Sequence, residues 1–274
     1  MLASAIIAPG TSDASTRPGA DNTGVPDGVA LKKWVGDMKI TTPGAVIDGY
    51  DIYGNVTVEA PDVTISRTRI RGTTAKVQRD LLRAASPSAS GLSVLDVTIK
   101  PDTPTVYQRI GIRLSATDQV VRRADISGTV DGVRISGERI VVENSWLHDF
   151  GHYTWDPEHS DGSHDDAIQV EGGSEIRILN NSITGAYNAA VMAAQGLSTL
   201  SDMWINSNFV DGGACAINIA RKSKPYMKGL QVSANRFGRN LRFPKCPLIY
   251  VKADSDLLPK SNVWDDTGGA IPLP

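Results

Sequence analysis

All four histidines of this chain, His148, His152, His159 and His164, fall in one stretch, LHDFGHYTWDPEHSDGSHDDAIQVEGG from Leu147 to Gly173. Seven carboxylates lie there too: Asp149, Asp156, Glu158, Asp161, Asp165, Asp166 and Glu171. Asp165 and Asp166 stand at the head of the apolar run AIQV, and Asp131 heads a similar run in TVDGVRI. Two or three acids held close together push at least one pKa upward, which leaves a proton donor beside a carboxylate. Glycoside hydrolysis needs such a pair. The plain alternative is that Asp before Gly or Ala hydrogen-bonds a turn. His164, next to the two acids, is positioned to modulate their charge or bind substrate. His159, Asp161 and His164 together offer two imidazoles and a carboxylate for a transition metal, without the helical spacing of known hydrolase motifs. The carboxylate reading requires no cofactor.

The rest of the chain must be the frame that holds these groups. With 28 basic against 30 acidic residues, no bulk field draws in nucleic acid or an anionic membrane. Basic residues are scattered without aromatic interleaving, which also argues against nucleic acid. No apolar run approaches the roughly 20 residues of a membrane span. The opening MLASAIIAPG has an apolar patch but no basic n-region.

From Ala45 onward the sequence repeats. Ile70, Ile99, Ile126, Leu147, Ile183, Val210, Phe237 and Trp264 follow one another at intervals of 29, 27, 21, 36, 27, 27 and 27 residues. A period in the twenties marks a solenoid, and alternation with period 2 inside each unit makes the units strands. A second row consists of Ile112, Val133, Ile168, Val191, Ile217 and Ile249, each opening an in–out–in triplet. The middle residues form an outward ladder of Arg113, Arg134, Gln169, Met192, Asn218 and Tyr250. Asn144, Asn180, Ser207 and Ala234 form a further row, read as turn residues bonding backbone. Residues 1–40 are expected to be an extended lead-in and N-terminal cap, with Val29 to Ile40 either a short helix or a strand. Residues 41–274 are expected to be the solenoid.

Loop lengths locate a groove. First row to second takes 7 residues in plain coils but 13 from Ile99 to Ile112, 21 from Leu147 to Ile168 and 12 from Phe237 to Ile249. Long turns on a rigid scaffold are where sites are built. The outward ladder is therefore walled near its middle, and Arg113, Arg134, Gln169, Asn218 and Tyr250 become candidate substrate contacts. Stacked like charges such as Arg113 and Arg134 ask for an anion or a carboxylate between them. Tyr153 and Trp155, in the longest loop, suit sugar stacking or packing of that loop. Cys215 and Cys246 fall near one corner of adjacent coils, either as a disulfide or as a reduced pair.

TVDGVRI followed one coil later by DDAIQV resembles the polygalacturonase-type glycoside hydrolases, where an Asp and an Asp-Asp pair share catalysis. That family has Gly-His-Gly on the next coil and Arg-x-Lys further on. Here those stretches read AYNAAVM, with Asn188 in place of the histidine, and ARKSK. More broadly, Ala45 to Trp264 resembles the pectate-lyase-like superfamily, found in secreted bacterial proteins and phage tails. The resemblance implies an all-β, single-domain right-handed parallel β-helix. It also implies a polysaccharide or cell-surface glycan as partner and an extracellular or virion-tail location. The expected activity is hydrolysis by Asp166, Asp165 and Asp131. A non-catalytic glycan-binding domain and a uronate lyase are the alternatives.

Overall fold

The computed structural model describes residues 16–72, 80–102, 110–157 and 159–274. Within them the chain is a parallel β-helix. Three sheets of ten, nine and eight strands run along its length, and every strand pairs in parallel with its counterpart one coil away. The first sheet runs from Lys32–Val35 to Val263–Trp264, the second from Met38–Ile40 to Leu248–Tyr250, the third from Val46–Asp48 to Gln231–Ser233. Glu158 and residues 103–109 of one enlarged turn lie outside the described residues.

The first row forms as its spacing predicts. Ile52, Ile70, Ile99, Ile126, Leu147, Ile183, Val210, Phe237 and Trp264 are register partners in unbroken succession. All are buried. In the second row Ile112, Val133, Ile168, Val191 and Ile217 stack in the same way. The third sheet adds an inner row of Ile65, Val94, Val121, Val142, Ile178, Ile205 and Val232. Together they make one continuous core, because side chains alternate faces and each strand turns its apolar set inward.

Of the two readings for Val29 to Ile40 the strand one holds: Lys32–Val35 and Met38–Ile40 are strands that pair with the next coil. Two sequence expectations are corrected. In the last coil Leu248, not Ile249, pairs with Ile217; Ile249 is 40% exposed and Tyr250 is buried. LIYV is apolar throughout, so its alternation permits either register, and a one-residue slip exchanges the faces. Tyr250 therefore leaves the outward ladder. Finally, Asn144, Asn180, Ser207 and Ala234 adopt left-handed backbone at a turn, and Asn180 bonds Asn144 rather than backbone.

The buried asparagines sit one residue later. Asn181, Asn208, Asn235 and Asn262 stack inside the turn, each Nδ2 donating to the next Oδ1 at 3.0 Å. Each Oδ1 also accepts the preceding coil's backbone N–H, and each Nδ2 donates to a carbonyl of the coil before. The ladder thus satisfies turn backbone that the strand hydrogen bonds do not reach. Two further links cross the coils. A Cys215–Cys246 disulfide, Cα–Cα 4.8 Å, joins the last enlarged turn to the coil before it. The lead-in runs lengthwise along the first sheet: Arg17 bonds Asp265 at 2.8 Å and lies 3.5 Å over the Phe209 ring, while Gly24 donates to the Arg123 carbonyl.

Asn208→Ala removes the acceptor of the buried Asn181 N–H and breaks the ladder at its centre. It is expected to cost about 3 kcal/mol in denaturant unfolding, since each orphaned buried group costs about 1–3 kcal/mol. Asn180→Ala, on the rim of the same turn, should cost under about 1 kcal/mol.

Candidate active site

A groove of about 850 Å³ lies over the outer face of the second sheet. Its floor is the outward ladder, with Arg83, Arg113, Arg134, Gln169, Met192 and Asn218 in register on consecutive coils. Its edge is supplied by strand entrances and by the 147–168 turn, which brings in Asp156, His159 and His164.

Asp131 and Asp166 open the second-sheet strands of adjacent coils, and both line the groove. Asp131 is 2% exposed; its Oδ2 takes the Arg134 guanidinium at 2.5 Å and its Oδ1 accepts the Asp166 backbone N–H at 3.0 Å. Burial raises its pKa, and Arg134 with that N–H pulls it back. Asp166 is 1% exposed and receives 2.8 Å from Asn188 Nδ2. Burial and then the charge of Asp131 push its pKa well above the ordinary carboxylate value. Both carboxyls are thus raised, and Asp166 the more strongly, because Arg134 bonds Asp131 and not Asp166.

Asp165 faces the other way. It is fully buried and does not line the groove. Its oxygens accept from His152 Nδ1 at 2.8 Å, Ser163 Oγ at 3.3 Å and the Tyr187 N–H at 2.6 Å. In this chain the two neighbours point to opposite sides, so Asp166 lines the groove and Asp165 is turned away from it.

The remaining candidates divide. Arg113 lies on the floor, bonded to Asp80 at 2.8 Å, and Asp80 also holds Arg83. Gln169 and Asn218 line the groove, and Gln169 Oε1 and Arg134 Nε are buried without hydrogen-bond partners. His159 and His164 line it as a stacked pair, centroids 3.9 Å apart, held by Asp156 and Asp161 respectively. No group of three metal-ligating side chains is assembled among the described residues, so His159, Asp161 and His164 do not form a metal set. Trp155 is 64% exposed, and neither it nor Tyr153 lines the groove. Tyr250 is inside the core.

Sequence reasoning missed Asp80 and His152 and gave Asn188 no role beyond standing where the resembling family has a histidine. Asn188 immediately precedes the next second-sheet strand, one residue before Ala189, the register partner of Asp166. The His152–Asp165 contact spans a loop of irregular spacing and left no periodic signal. No family model, curated protein or solved structure matches the chain.

The direction of the Asp166 shift makes a stability claim. A carboxyl whose folded pKa exceeds its unfolded one stabilises fully below the unfolded value, about 4, and loses that contribution as pH rises through the folded value. Asp166→Asn cannot ionise. Relative to the parent, its stability should rise as pH is taken from about 4 to 8 in denaturant titrations. Parallel pH curves would place the proton elsewhere.

Proposed function

We propose that this chain binds a polysaccharide in the groove of the second sheet and hydrolyses it. Asp166 gives its proton to the glycosidic oxygen as the bond breaks. Asp131, bonded by Arg134, stabilises the positive charge that develops on the sugar or orients the attacking water. Arg113, Arg134, Gln169, Asn218 and His164 position the sugars, and Asp165 serves the neighbouring loop instead of the reaction. The observation that carries this reading is two carboxyls lining the groove on adjacent coils, Asp131 bonded by Arg134 and Asp166 bonded only by the neutral Asn188 amide. The resemblance of TVDGVRI and DDAIQV to polygalacturonase-type glycoside hydrolases, within the pectate-lyase-like superfamily, agrees with it. The groove is open and polar, as a chain of hydroxylated rings requires. The disulfide suits an oxidising compartment, in keeping with a secreted or virion-tail protein. No helix among the described residues is long and apolar enough to cross a membrane.

One observation favours glycan binding without cleavage. Asp131 and Asp80 both already answer arginines at rest, which neutralises the floor. The same pairing weighs against a uronate lyase, which would need Arg113 or Arg134 free.

Incubation with a panel of acidic and neutral polysaccharides, assayed for reducing ends and for unsaturated-sugar absorbance, separates the three. Hydrolysis should appear as reducing ends alone. Asp166→Asn should lower it by about 100-fold or more, with the fold intact. Near-parental hydrolysis in that variant would overturn the assignment of the acid. Unsaturated products would replace it with elimination, and saturable binding without turnover would reduce the chain to a binding domain.

A further inference from the structure

A second cavity, of about 440 Å³, takes no part in this chemistry. It lies over the corner that leads from the first sheet into the second, and its walls include Phe150, His152, Tyr187, Asp211, Asn240 and Arg242. One stretch of backbone serves both cavities. Asp166 and Asn188 turn to the groove, and the residues just before them, Asp165 and Tyr187, turn to the corner.

The corner is built around the Tyr187 ring. The His152 imidazole stacks on it at 3.5 Å between centroids, and the Arg242 guanidinium carbon lies 3.5 Å from the same centroid. One face cannot hold both at that distance, so they occupy opposite faces. His152 Nδ1 is committed to the buried Asp165, which leaves Nε2 as the ring nitrogen for the cavity. Arg242 donates to the Tyr187 carbonyl at 3.2 Å and, among the described residues, meets no carboxylate. Its neighbours Arg236 and Arg239 are each held by one, Asp265 and Asp266. The cavity's own carboxylate, Asp211, is taken by Asn240, from N at 2.8 Å and from Nδ2 at 2.6 Å. Arg242 is nonetheless fixed in place. Its N–H and that of Phe243 bond the carbonyls of Gly213 and Ala214, and the turn is closed by the Cys215–Cys246 disulfide.

We propose that this corner pocket binds an oxyanion, a phosphate, sulfate or carboxylate, at the edge of the Tyr187 ring, where it bridges the Arg242 guanidinium on one face and Nε2–H of His152 on the other. The guanidinium offers paired donors that suit such a group. Asp165, behind the imidazole, holds Nδ1 and so fixes the orientation of the ring. A rigid, disulfide-closed turn spares the ordering cost of the arginine. The anion is either a substituent on the polymer in the adjacent groove or a free small ion. The first source rests on the function proposed above; binding of a free ion does not.

The intact, oxidised protein is titrated with inorganic phosphate, sulfate and acetate, followed by calorimetry and by the NMR signals of the His152 ring. Saturable binding at one site is expected, weakened at least about tenfold, or ~1.4 kcal/mol, in Arg242→Gln and unchanged in Asp166→Asn. In a second arm an acidic polysaccharide and its neutral, charge-stripped form are bound to the Asp166→Asn protein with and without Arg242→Gln. Weakening confined to the acidic polymer assigns the anion to the polymer; no weakening of either, with phosphate binding kept, assigns a free ion. Absence of saturable binding by all three anions, or binding indifferent to Arg242→Gln, overturns the site. Phosphate binding in a protein that takes up no polysaccharide would overturn the polysaccharide reading alone.

Discussion

Everything in this molecule depends on coil-to-coil register. Parallel strands stack at about 4.8 Å, so each coil must return the same kind of side chain to the same place or break the backbone ladder. Three inner rows of Ile, Val and Leu meet that demand in the sheets. The asparagine stack meets it in the turn, where backbone groups would otherwise be buried without partners. What a coil adds beyond the repeat can leave only at the corners. Chemistry in such a fold is therefore confined to the outward rows and to enlarged turns, and the groove is where the two meet.

The same constraint decided what was legible in the sequence. The first row was readable from Ile70 onward because its members recur at a near-constant spacing and most are single apolar residues framed by polar ones. LIYV in the last coil has no such frame, and the slip that displaced Tyr250 followed. The asparagine row was misplaced by one residue because its members come as NN, SN, AN and SN, and only packing separates the buried Asn181 from the turn residue Asn180. Asp131 and Asp166 were recoverable from their place at strand entrances. The diversion of Asp165 follows from alternation, but its partner His152 comes from a loop whose spacing carries no period.

The electrostatics of the groove rest on where the arginines are spent. Arg113 and Arg83 share Asp80, and Arg134 takes Asp131. Asp166, buried in the midst of them, receives only a neutral amide from Asn188 and a carboxylate for a neighbour. A single cation placed one residue position differently would ionise it. The two carboxyls differ here by allocation of partners, not by residue type, and both are carried by strand ends of adjacent coils.

The lead-in strap that joins Arg17 to Asp265, across 248 positions of sequence, changes what kind of repeat protein this is. A bare solenoid comes apart from its ends, because each coil feels only its neighbours. Here residues 17–24 lie along the flank and reach the final coil, touching Phe209 and the Arg123 carbonyl on the way. Fraying of the last coil is thereby coupled to release of the segment around Arg17, which gives an array written as a line some of the character of a closed loop.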